Sequence, residues 1–375
     1  MKPKIENLVI EHFRAYRHIN IKGLGQVNLI TGRNNTGKST VLEALRLLAS
    51  DASPSVLSSI LRSREEDFEE IDETTRPVDQ EGGFQLSSLF QNFPEFSEKI
   101  LPILITSNGR QRPLRLSMWV EWFSEARGPD GSKRLIPQEK NLFGEAEAVP
   151  GLVIEAGGAR RNLSLDYLRR YSSRLRPFRS ELADESRLPC MYVSPYSGER
   201  TASLGPLWDK IALSDRENDV AEALRIIDPD ISAVSMVGGE GPRRTRTAIV
   251  RTSRFPCPVP LRSFGDGLNR LFSIVLSLVN AKDGLLLIDE FENGMHHTVQ
   301  ADAWRAVFKL ARNLDIQVVA TSHSWDTVEA FQKVACEDVG EGVLIRLSRK
   351  GEDIIPTLFR ESELAVATRD RIEVR

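Results

Sequence analysis

The order of apolar and polar positions along the chain predicts strands first and an alternation of strands and helices afterwards. IENLVIEHF, HINIKGL and GQVNLITG are predicted to be strands, because positions alternate in the first segment and an apolar run forms the last. After Gly32 the apolar spacing changes to that of a helix, which carries Val41, Leu45 and Leu48 on one face. A strand followed at once by a helix indicates an α/β fold.

Later segments continue this alternation. ILITSNGRQRPLRLSMWVEWF is predicted to be a hairpin that turns at Asn108-Gly109, and CMYVSP is predicted to be a short strand. LNRLFSIVLSLVNA is predicted to be a helix, while GLLLIDE and IQVVATS begin with short buried strands. EGVLIRLSRK and DIIPTLFRESEL are predicted to pair as a hairpin before a final short helix. Gly23-Leu24-Gly25 precedes a strand rather than a helix, so we expect a hairpin turn there and not a dinucleotide-binding loop.

Composition and charge limit the class of protein. The 375 residues are 41% apolar and 27% charged with a net charge of −3, which predicts a globular chain and does not indicate a nucleic-acid binder. The N-terminus has no apolar signal region, and the longest apolar run, 271–281, is too short to cross a bilayer. We therefore expect a cytoplasmic protein without membrane contact. Cys190, Cys257 and Cys336 are widely spaced, so we expect them to be reduced and buried.

Three segments carry a strong local charge. The acidic run within 62–83 is expected to be a solvated loop. Residues 155–187 are rich in arginine and lead through Pro189 into a strand, which makes them the best candidate boundary between two lobes. A further basic cluster is expected to protect a solvated hairpin edge, with nucleic-acid contact as the less favoured alternative. It consists of Arg243, Arg244, Arg246, Arg251 and Arg254.

The segment GRNNTGKST has the spacing of a phosphate-binding loop between a strand and a helix. The backbone N–H groups of such a loop bind phosphate oxygens, Lys38 neutralises the β- and γ-phosphates, and the Ser39 hydroxyl is a Mg²⁺ ligand. Asparagine tolerates positive φ better than most residues, which suits Asn34 and Asn35 to a tight loop. The residues predicted to bind the nucleotide here are Gly32, Asn34, Asn35, Thr36, Gly37, Lys38, Ser39 and Thr40.

Acidic residues and a histidine follow two further buried strands. The apolar run 285–288 leads into Asp289 and Glu290, at the strand end where α/β sheets place ligand chemistry. Asp289 is predicted to support Mg²⁺, directly or through water, and Glu290 to act as general base on the attacking water. His323 follows the next strand, which is expected to neighbour the strand before Asp289, and is predicted to reach the γ-phosphate as a donor that orients water. The predicted catalytic residues are thus Glu290, His323 and Lys38.

The segment SFGDG is a second predicted anion site. Ser263, Gly265 and Gly267 stand at the start of a predicted helix, where free N–H groups and the positive end of the helix dipole point the same way. Because the phosphate-binding loop is already a better cradle, this second site raises the question of which phosphate it serves.

In this order, the phosphate-binding loop, SFGDG, LLLIDE and TSH resemble the head domains of ABC-type ATPases. In detail they resemble the SMC, RecF and OLD-type group, which includes stand-alone bacterial AAA-family ATPases of phage-defence operons. The resemblance covers nearly the whole chain, since IENLVIEHFRAYRHINI is similar to the opening strands and LWDKIALSDRENDVAEALRIIDPDI to the second lobe. It implies an α/β fold of the ABC-type P-loop ATPase head, with two lobes and no long coiled coil. A mixed β lobe at 1–185 and a helical, α/β lobe at 186–375 would together form one composite ATPase domain.

The resemblance also implies roles for particular residues. Ser263, Gly265 and Gly267 match the signature motif, residues 292–296 the D-loop and His323 the switch histidine. Arg14 lies where related heads place a basic residue near the nucleotide. SFGDG departs from the transporter form LSGGQ, and ENGMH lacks the usual Leu-Asp ending of the D-loop. The glutamine loop has two candidates, Gln85 and Gln91.

In heads of this type, the signature loop of one copy caps the γ-phosphate held by the other copy. This implies an ATP-gated homodimer or higher homo-oligomer that uses ATP and Mg²⁺. The segment after His323 is too short for the nuclease domain fused to OLD-type ATPases, so we expect a separate effector, such as a nuclease or toxin, in bacterial anti-phage defence. The alternative is a RecF-like DNA repair clamp whose arginines hold duplex DNA. A transporter motor is disfavoured by the signature and by the lack of a membrane-coupling sequence.

Overall fold

A computed structural model describes residues 3–64, 86–94, 100–110, 112–127, 133–138, 149–164, 188–195, 204–238, 246–337, 342–361, 363–364 and 366. Nearly all of the acidic run and most of the arginine-rich segment lie outside the described residues. Gln85, Arg243, Arg244 and the expected lobe boundary at 185 also lie outside them.

The described residues contain sixteen strands and seven α-helices. The strands are β1 (Asn7–Phe13), β2 (Tyr16–Lys22), β3 (Val27–Gly32), β4 (Ile103–Asn108), β5 (Leu114–Arg127), β6 (Lys133–Gln138), β7 (Val149–Ala156), β8 (Ala159–Ser164), β9 (Cys190–Val193), β10 (Ile231–Gly238), β11 (Arg246–Thr252), β12 (Val259–Pro260), β13 (Leu285–Ile288), β14 (Gln317–Thr321), β15 (Gly342–Lys350) and β16 (Asp353–Phe359). The helices are α1 (Lys38–Ala49), α2 (Pro54–Ser63), α3 (Gly205–Asp209), α4 (Asp215–Ile227), α5 (Asp266–Asn280), α6 (His297–Asn313) and α7 (Trp325–Glu337), with a 3₁₀ helix at Leu261–Phe264.

None of these helices exceeds the 17 residues of α6, which agrees with the expectation of no long coiled coil. In the part of the chain that the structure describes, no helix has the length and apolar character needed to cross a bilayer.

A six-stranded sheet forms the centre of the fold, in the order β16-β15-β3-β14-β13-β9. β15, β3, β14, β13 and β9 run parallel, and β16 closes the edge as the predicted antiparallel partner of β15. The strands that precede Asp289 and His323 are neighbours, as expected, and β14 also pairs with the strand before the phosphate-binding loop. The carboxyl ends of β3, β14 and β13 therefore meet along one edge of the sheet.

A second, antiparallel sheet of seven strands has the order β2-β1-β4-β5-β7-β8, with β6 also paired to β5. The hairpin predicted around Asn108-Gly109 is confirmed by the antiparallel pairing of β4 with β5.

The predicted hairpin turn at Gly23–Gly25 is wrong. This segment carries the chain from β2 in the antiparallel sheet to β3 in the central sheet, and the two strands lie in different sheets. Every residue of Val27–Gly32 is buried, so β3 requires cover on both faces and lies inside the parallel sheet instead of folding back on β2.

The two faces of the central sheet support two apolar cores. Leu286 and Ile288 of β13 face a core formed with α5, α6 and α7. Leu285 and Leu287 face the opposite core, formed with α1 and the antiparallel sheet. Residues 40–49 of α1 are buried on every side, because this helix lies between the two sheets. The sequence pattern predicted only one apolar face for this helix, whereas the structure buries all of its faces.

A three-stranded sheet, β10-β11-β12, carries the described part of the basic cluster. Arg254 forms ion pairs with Asp228 at 2.5 Å and with Asp230 at 2.6 Å, and Arg246 is paired with Asp209. These carboxylates pair with two of the three described arginines of the cluster.

The three cysteines are free thiols, as predicted, but they are not buried as expected. Cys257 and Cys336 are exposed and Cys190 is half-buried. Cys190 belongs to an edge strand and Cys257 to a surface loop, so cysteine composition did not indicate where the thiols lie.

Candidate functional site

The phosphate-binding loop connects β3 directly to α1, in the strand-to-helix context that the sequence predicts. Asn35 has a φ of 62° and Gly37 a φ of 85°, so the loop uses the left-handed region that asparagine and glycine tolerate best. Arg33, Asn34 and Asn35 are exposed, whereas Thr36 and Thr40 are buried. The loop thus places exposed residues at the N-terminus of a helix, which is a favourable place for an anion.

Lys38 folds back over this loop. Its Nζ donates to the carbonyl oxygens of Gly32 at 2.7 Å and Arg33 at 3.2 Å. Burial lowers the pKa of Lys38 from its ordinary value, against the opposing effect of the nearby carboxylates Asp289, Glu290 and Glu292. The lysine therefore lies next to a carboxylate cluster whose charges favour its protonated form.

Tyr16 supports the loop from behind. This buried side chain donates from its hydroxyl to the carbonyl oxygen of Gly37 at 2.8 Å. A Cβ at Gly37 would lie 2.5 Å from the same hydroxyl, so the close contact between Tyr16 and the loop requires glycine at this position. Burial raises the pKa of Tyr16, which keeps the hydroxyl protonated as a donor.

We expect Tyr16→Phe to lower the free energy of unfolding by about 1 kcal/mol, because the partly buried carbonyl of Gly37 loses its donor. Urea unfolding followed by circular dichroism measures this change, with Thr357→Val on the exposed side of β16 as the control. A Tyr16→Phe protein as stable as the wild type would show that the hydroxyl does not support the loop.

Asp289 is the centre of the carboxylate cluster. Its Oδ1 accepts hydrogen bonds from Ser39 Oγ at 3.0 Å and from Thr321 Oγ1 at 2.6 Å, and its Oδ2 lies 3.4 Å from the Tyr192 hydroxyl. The Asp289 side chain is thereby fixed beside the first turn of α1. Ser39 and Asp289 present hard oxygen ligands at this point, which is the chemistry that Mg²⁺ prefers. The residues present therefore fit a magnesium ion.

Glu290 is held in an unusual backbone conformation with a φ of 48°. For a residue other than glycine this left-handed conformation costs about 1–2 kcal/mol. Its N–H donates to Thr321 Oγ1 at 2.9 Å, and its carbonyl oxygen accepts from the guanidinium of Arg270 at 3.1 Å. Asn293 donates from Nδ2 to the Glu290 carboxylate at 2.6 Å. Three neighbours thus set both the backbone and the side chain of Glu290.

Arg270 links the helix after SFGDG to this strand end. It is almost completely buried, and its guanidinium donates to the carbonyl oxygens of Ser194 at 2.5 Å and Asp289 at 2.8 Å. Burial lowers the pKa of Arg270 to about 10, so the side chain remains charged at neutral pH. The charge is stabilised by these backbone carbonyls together with the nearby carboxylates Asp289, Glu292 and Glu290.

His323 lies just beyond β14, on the same edge as Asp289. Its ring is 53% exposed, and Nδ1 lies 3.2 Å from Oε1 of Glu292. The backbone N–H of His323 donates to the same Glu292 oxygen at 3.0 Å.

The signature residues form an open surface. Ser263 belongs to the 3₁₀ helix, and Gly265, with a φ of 97°, caps the N-terminus of α5. Ser263 and Gly265 are exposed, and a Cβ at Gly265 would meet no described atom within 4 Å. Gly267 packs on the next loop, where its Cβ would lie 3.4 Å from the carbonyl oxygen of Gly294. The N-terminus of α5 therefore faces outward.

Arg14 is buried, unlike Asn34 and Asn35 of the phosphate-binding loop, which are exposed. Its side chain is 6% exposed and forms an ion pair with Glu43 of α1 at 2.7 Å. Its role at the nucleotide stays a prediction. Gln91, the described candidate for the glutamine loop, donates from its backbone N–H to the carbonyl oxygen of His12, and its role also stays a prediction.

Several residues of the site had no predicted role, among them Tyr16, Arg270, Thr321 and Asn293, although Asn293 lies within the predicted D-loop at 292–296. Thr321 and Asn293 lie within two or three residues of predicted site residues, and this closeness was an available signal. Tyr16 and Arg270 lie in other elements, and no local pattern indicated that they reach the site.

The chain is similar to known proteins in sequence and in fold. A protein-family model described as "AAA domain, putative AbiEii toxin, Type IV TA system" matches residues 27–328. A curated protein of Helicobacter pylori is named ATP/GTP phosphatase. It is 23% identical to this chain over an alignment of 381 positions that covers 95% of each chain.

Two solved structures share the fold. An Smc head bound to the C-terminal winged-helix domain of ScpA has a TM-score of 0.52 at 10% identity, covering 96% of this chain and 98% of that one. The Smc head domain with an extended coiled coil, bound to the C-terminal domain of ScpA derived from Pyrococcus furiosus, has a TM-score of 0.51 at 9% identity over 100% of both chains. At these identities the likeness concerns the fold alone, and that fold is the ABC-type head that the motifs imply.

Proposed function

The chain belongs to this AAA-domain family, and from that premise we propose that two copies of this SMC-like ABC-type ATPase close around ATP and act as a molecular switch. The family match covers residues 27–328, which include the phosphate-binding loop, the signature, the acidic strand end and the switch histidine. The Helicobacter pylori relative is named for phosphatase activity on ATP and GTP, which supports nucleotide hydrolysis as the reaction.

Nucleotide binding is assigned to the loop from Gly32 to Thr40. Its backbone N–H groups and the N-terminus of α1 would surround the phosphates, and Lys38 would exchange its two carbonyl contacts for phosphate oxygens. Ser39 and Asp289 would hold Mg²⁺, which when bound neutralises charge on the β- and γ-phosphates.

Hydrolysis is assigned to the acidic strand end and the switch histidine. Glu290 would accept a proton from the attacking water, and Asn293 holds its carboxylate in place through the 2.6 Å hydrogen bond. His323 would donate to the γ-phosphate and orient the water. The bond between the γ-phosphorus and the bridging oxygen breaks as the water oxygen attacks, giving ADP and phosphate.

The signature is assigned to the nucleotide of the partner copy. Its exposed Ser263 and Gly265 and the outward N-terminus of α5 form an anion-binding surface that is separate in sequence from the loop that binds the chain's own nucleotide. A triphosphate would bridge the two copies, whereas ADP lacks the γ-phosphate that the signature surface of the partner copy would bind. Hydrolysis would therefore change association through the difference in affinity.

One observation carries this proposal. The carboxyl ends of β3, β14 and β13 bring the phosphate-binding loop, His323 and the two acidic residues to one edge of the sheet, and the Ser39 hydroxyl lies 3.0 Å from Asp289. A serine of the loop and an aspartate of the neighbouring strand at this distance fit one metal–triphosphate ligand.

We expect Lys38→Ala to weaken ATP binding by about 10- to 100-fold, because a charge-assisted contact to phosphate is lost. Isothermal titration with ATP and Mg²⁺ measures the dissociation constant. Lys22→Ala, on the exposed end of β2, is the matched control and should bind like the wild type. Unchanged affinity in Lys38→Ala would contradict the assignment of this loop.

We further propose that the switch controls a separate effector protein, such as a nuclease or toxin, in defence against phage. The family description names a toxin of a type IV toxin–antitoxin system, which supports a role of this kind. The ion pairs of Arg246 and Arg254 reduce the positive charge available for DNA phosphates, which favours this role over a DNA clamp.

A further inference from the structure

Glu292 is a third carboxylate at the site, and none of the roles above uses it. It lies two residues after Glu290, and its side chain is only 10% exposed. Its Oε1 accepts from the backbone N–H of His323 at 3.0 Å and lies 3.2 Å from the Nδ1 of the same residue. Its Oε2 is buried and has no hydrogen-bond partner among the described residues.

Burial of the Glu292 Oε2, which has no partner in the described part of the chain, destabilises the folded protein. A buried carboxylate oxygen without a donor loses its hydration without full compensation. Glu292 nevertheless directs its other oxygen at one residue, where it accepts from the backbone N–H of His323 and lies 3.2 Å from the ring Nδ1. The Glu292 backbone is fixed as well, since its carbonyl oxygen accepts from the N–H of Met295 at 2.9 Å. The carboxylate is therefore a fixed acceptor next to a half-exposed ring.

We propose that Glu292 is a positioning residue that sets the tautomer and orientation of His323, a proposal that rests on the role of His323 in the proposed function. A carboxylate that accepts from Nδ1 favours the tautomer with the proton on Nδ1 and fixes the plane of the ring. The Nε2 edge is then the one presented to the nucleotide. To donate to the γ-phosphate, Nε2 must carry a proton as well, so the ring acts there in its doubly protonated form between the Glu292 carboxylate and the phosphate. Glu292 itself does not touch the reacting atoms in this proposal.

A second role for Glu292 has to be separated from this one. Its charge also acts on Lys38, so its loss would change the electrostatic environment of the phosphate-binding loop. An effect through Lys38 would alter nucleotide affinity, whereas an effect through His323 would alter turnover.

The direct test is the tautomer of His323 in the nucleotide-free protein. Nitrogen-15 NMR of histidine-labelled protein at about pH 8.5, where free histidine is neutral, reports which ring nitrogen carries the proton. The His323 signals are assigned by their loss in His323→Ala. We expect the Nδ1–H form in the wild type and a shift towards the Nε2–H form in Glu292→Met. Glu329→Met, in the first turns of α7, is the control and should leave the signals unchanged.

The kinetic test is a double-mutant cycle. We expect Glu292→Met to lower kcat about tenfold with KM unchanged, and Glu292→Gln, which keeps an oxygen acceptor, to lose less. In the His323→Ala background, adding Glu292→Met should lower kcat by less than about a further twofold, because Glu292 acts through the ring. Circular dichroism confirms that each variant is folded.

Each outcome decides between the proposals. The positioning role is wrong if Glu292→Met leaves the ring tautomer unchanged, or if it lowers kcat by the same factor with and without His323. The role of His323 would then still stand. If His323→Ala hydrolyses ATP like the wild type, the role of His323 in the proposed function is wrong, and the Glu292 proposal fails with it.

Discussion

Glu290→Gln is expected to lower kcat for ATP hydrolysis about a thousandfold while the protein still binds ATP. The amide cannot accept a proton from the attacking water, but it has the size of the carboxylate. Its oxygen can still accept from Asn293, whose Nδ2 lies 2.6 Å from the Glu290 carboxylate. The unusual backbone at residue 290 is also retained, since it is held by Thr321 and Arg270 through main-chain atoms. The substitution therefore removes the general base without disturbing the geometry of the site.

Phosphate release under saturating ATP measures the effect, and titration with a fluorescent ATP analogue checks that binding persists. Glu352→Gln, an exposed carboxylate beyond β15, is the control and should keep wild-type turnover. Turnover by Glu290→Gln above about a tenth of the wild-type value would be far outside the loss typical of a missing general base. The assignment of Glu290 would then be wrong.

Ser263→Arg is expected to lower turnover by at least about a hundredfold and to leave ATP binding by the single chain unchanged. Ser263 is exposed at the start of the signature surface, so a long cationic side chain disturbs no core contact. It does obstruct the approach of a partner to the N-terminus of α5. Since we assign the chain's own nucleotide to Lys38 and its loop, binding and turnover should separate in this variant.

Mixing Ser263→Arg with Lys38→Ala tests whether the defect lies between copies. A mixed pair contains one site with the intact Lys38 of one copy and the intact Ser263 of the other, so the mixture should hydrolyse ATP faster than either variant alone. Ser232→Arg, on the exposed side of β10, is the control for an added arginine. The mixture could instead hydrolyse ATP only at the summed rate of the two variants assayed alone, or Ser263→Arg could hydrolyse ATP like the wild type. Either result would show that each chain completes its own site.

The sequence predicted the parts of the site that depend on short stretches. The loop at 32–40 has its motif and its strand-to-helix context within nine residues, and Asp289 and His323 follow short buried strands. The sequence also predicted that the strands before Asp289 and His323 are neighbours, and β13 pairs with β14. The parallel pairing of β14 with β3 was not predicted.

The remaining features depend on how separate elements pack. α1 is buried on every side because a second sheet covers it, and a helix pattern reports only its own apolar spacing. The chain crosses between sheets at Gly23–Gly25, although the local pattern resembles a hairpin turn. The contacts of Tyr16 with Gly37 and of Arg270 with the carbonyl of Glu290 join distant segments. Such contacts are fixed only once the layers are assembled.

The shared site is tested most directly by the mass of Glu290→Gln with and without ATP and Mg²⁺, measured by mass photometry. The account predicts that nucleotide shifts the population from the 42.1 kDa chain towards pairs or larger assemblies, and that adding Ser263→Arg to the same chain prevents the shift. The same mass distribution with and without ATP, or a shift that is indifferent to Ser263→Arg, would contradict it.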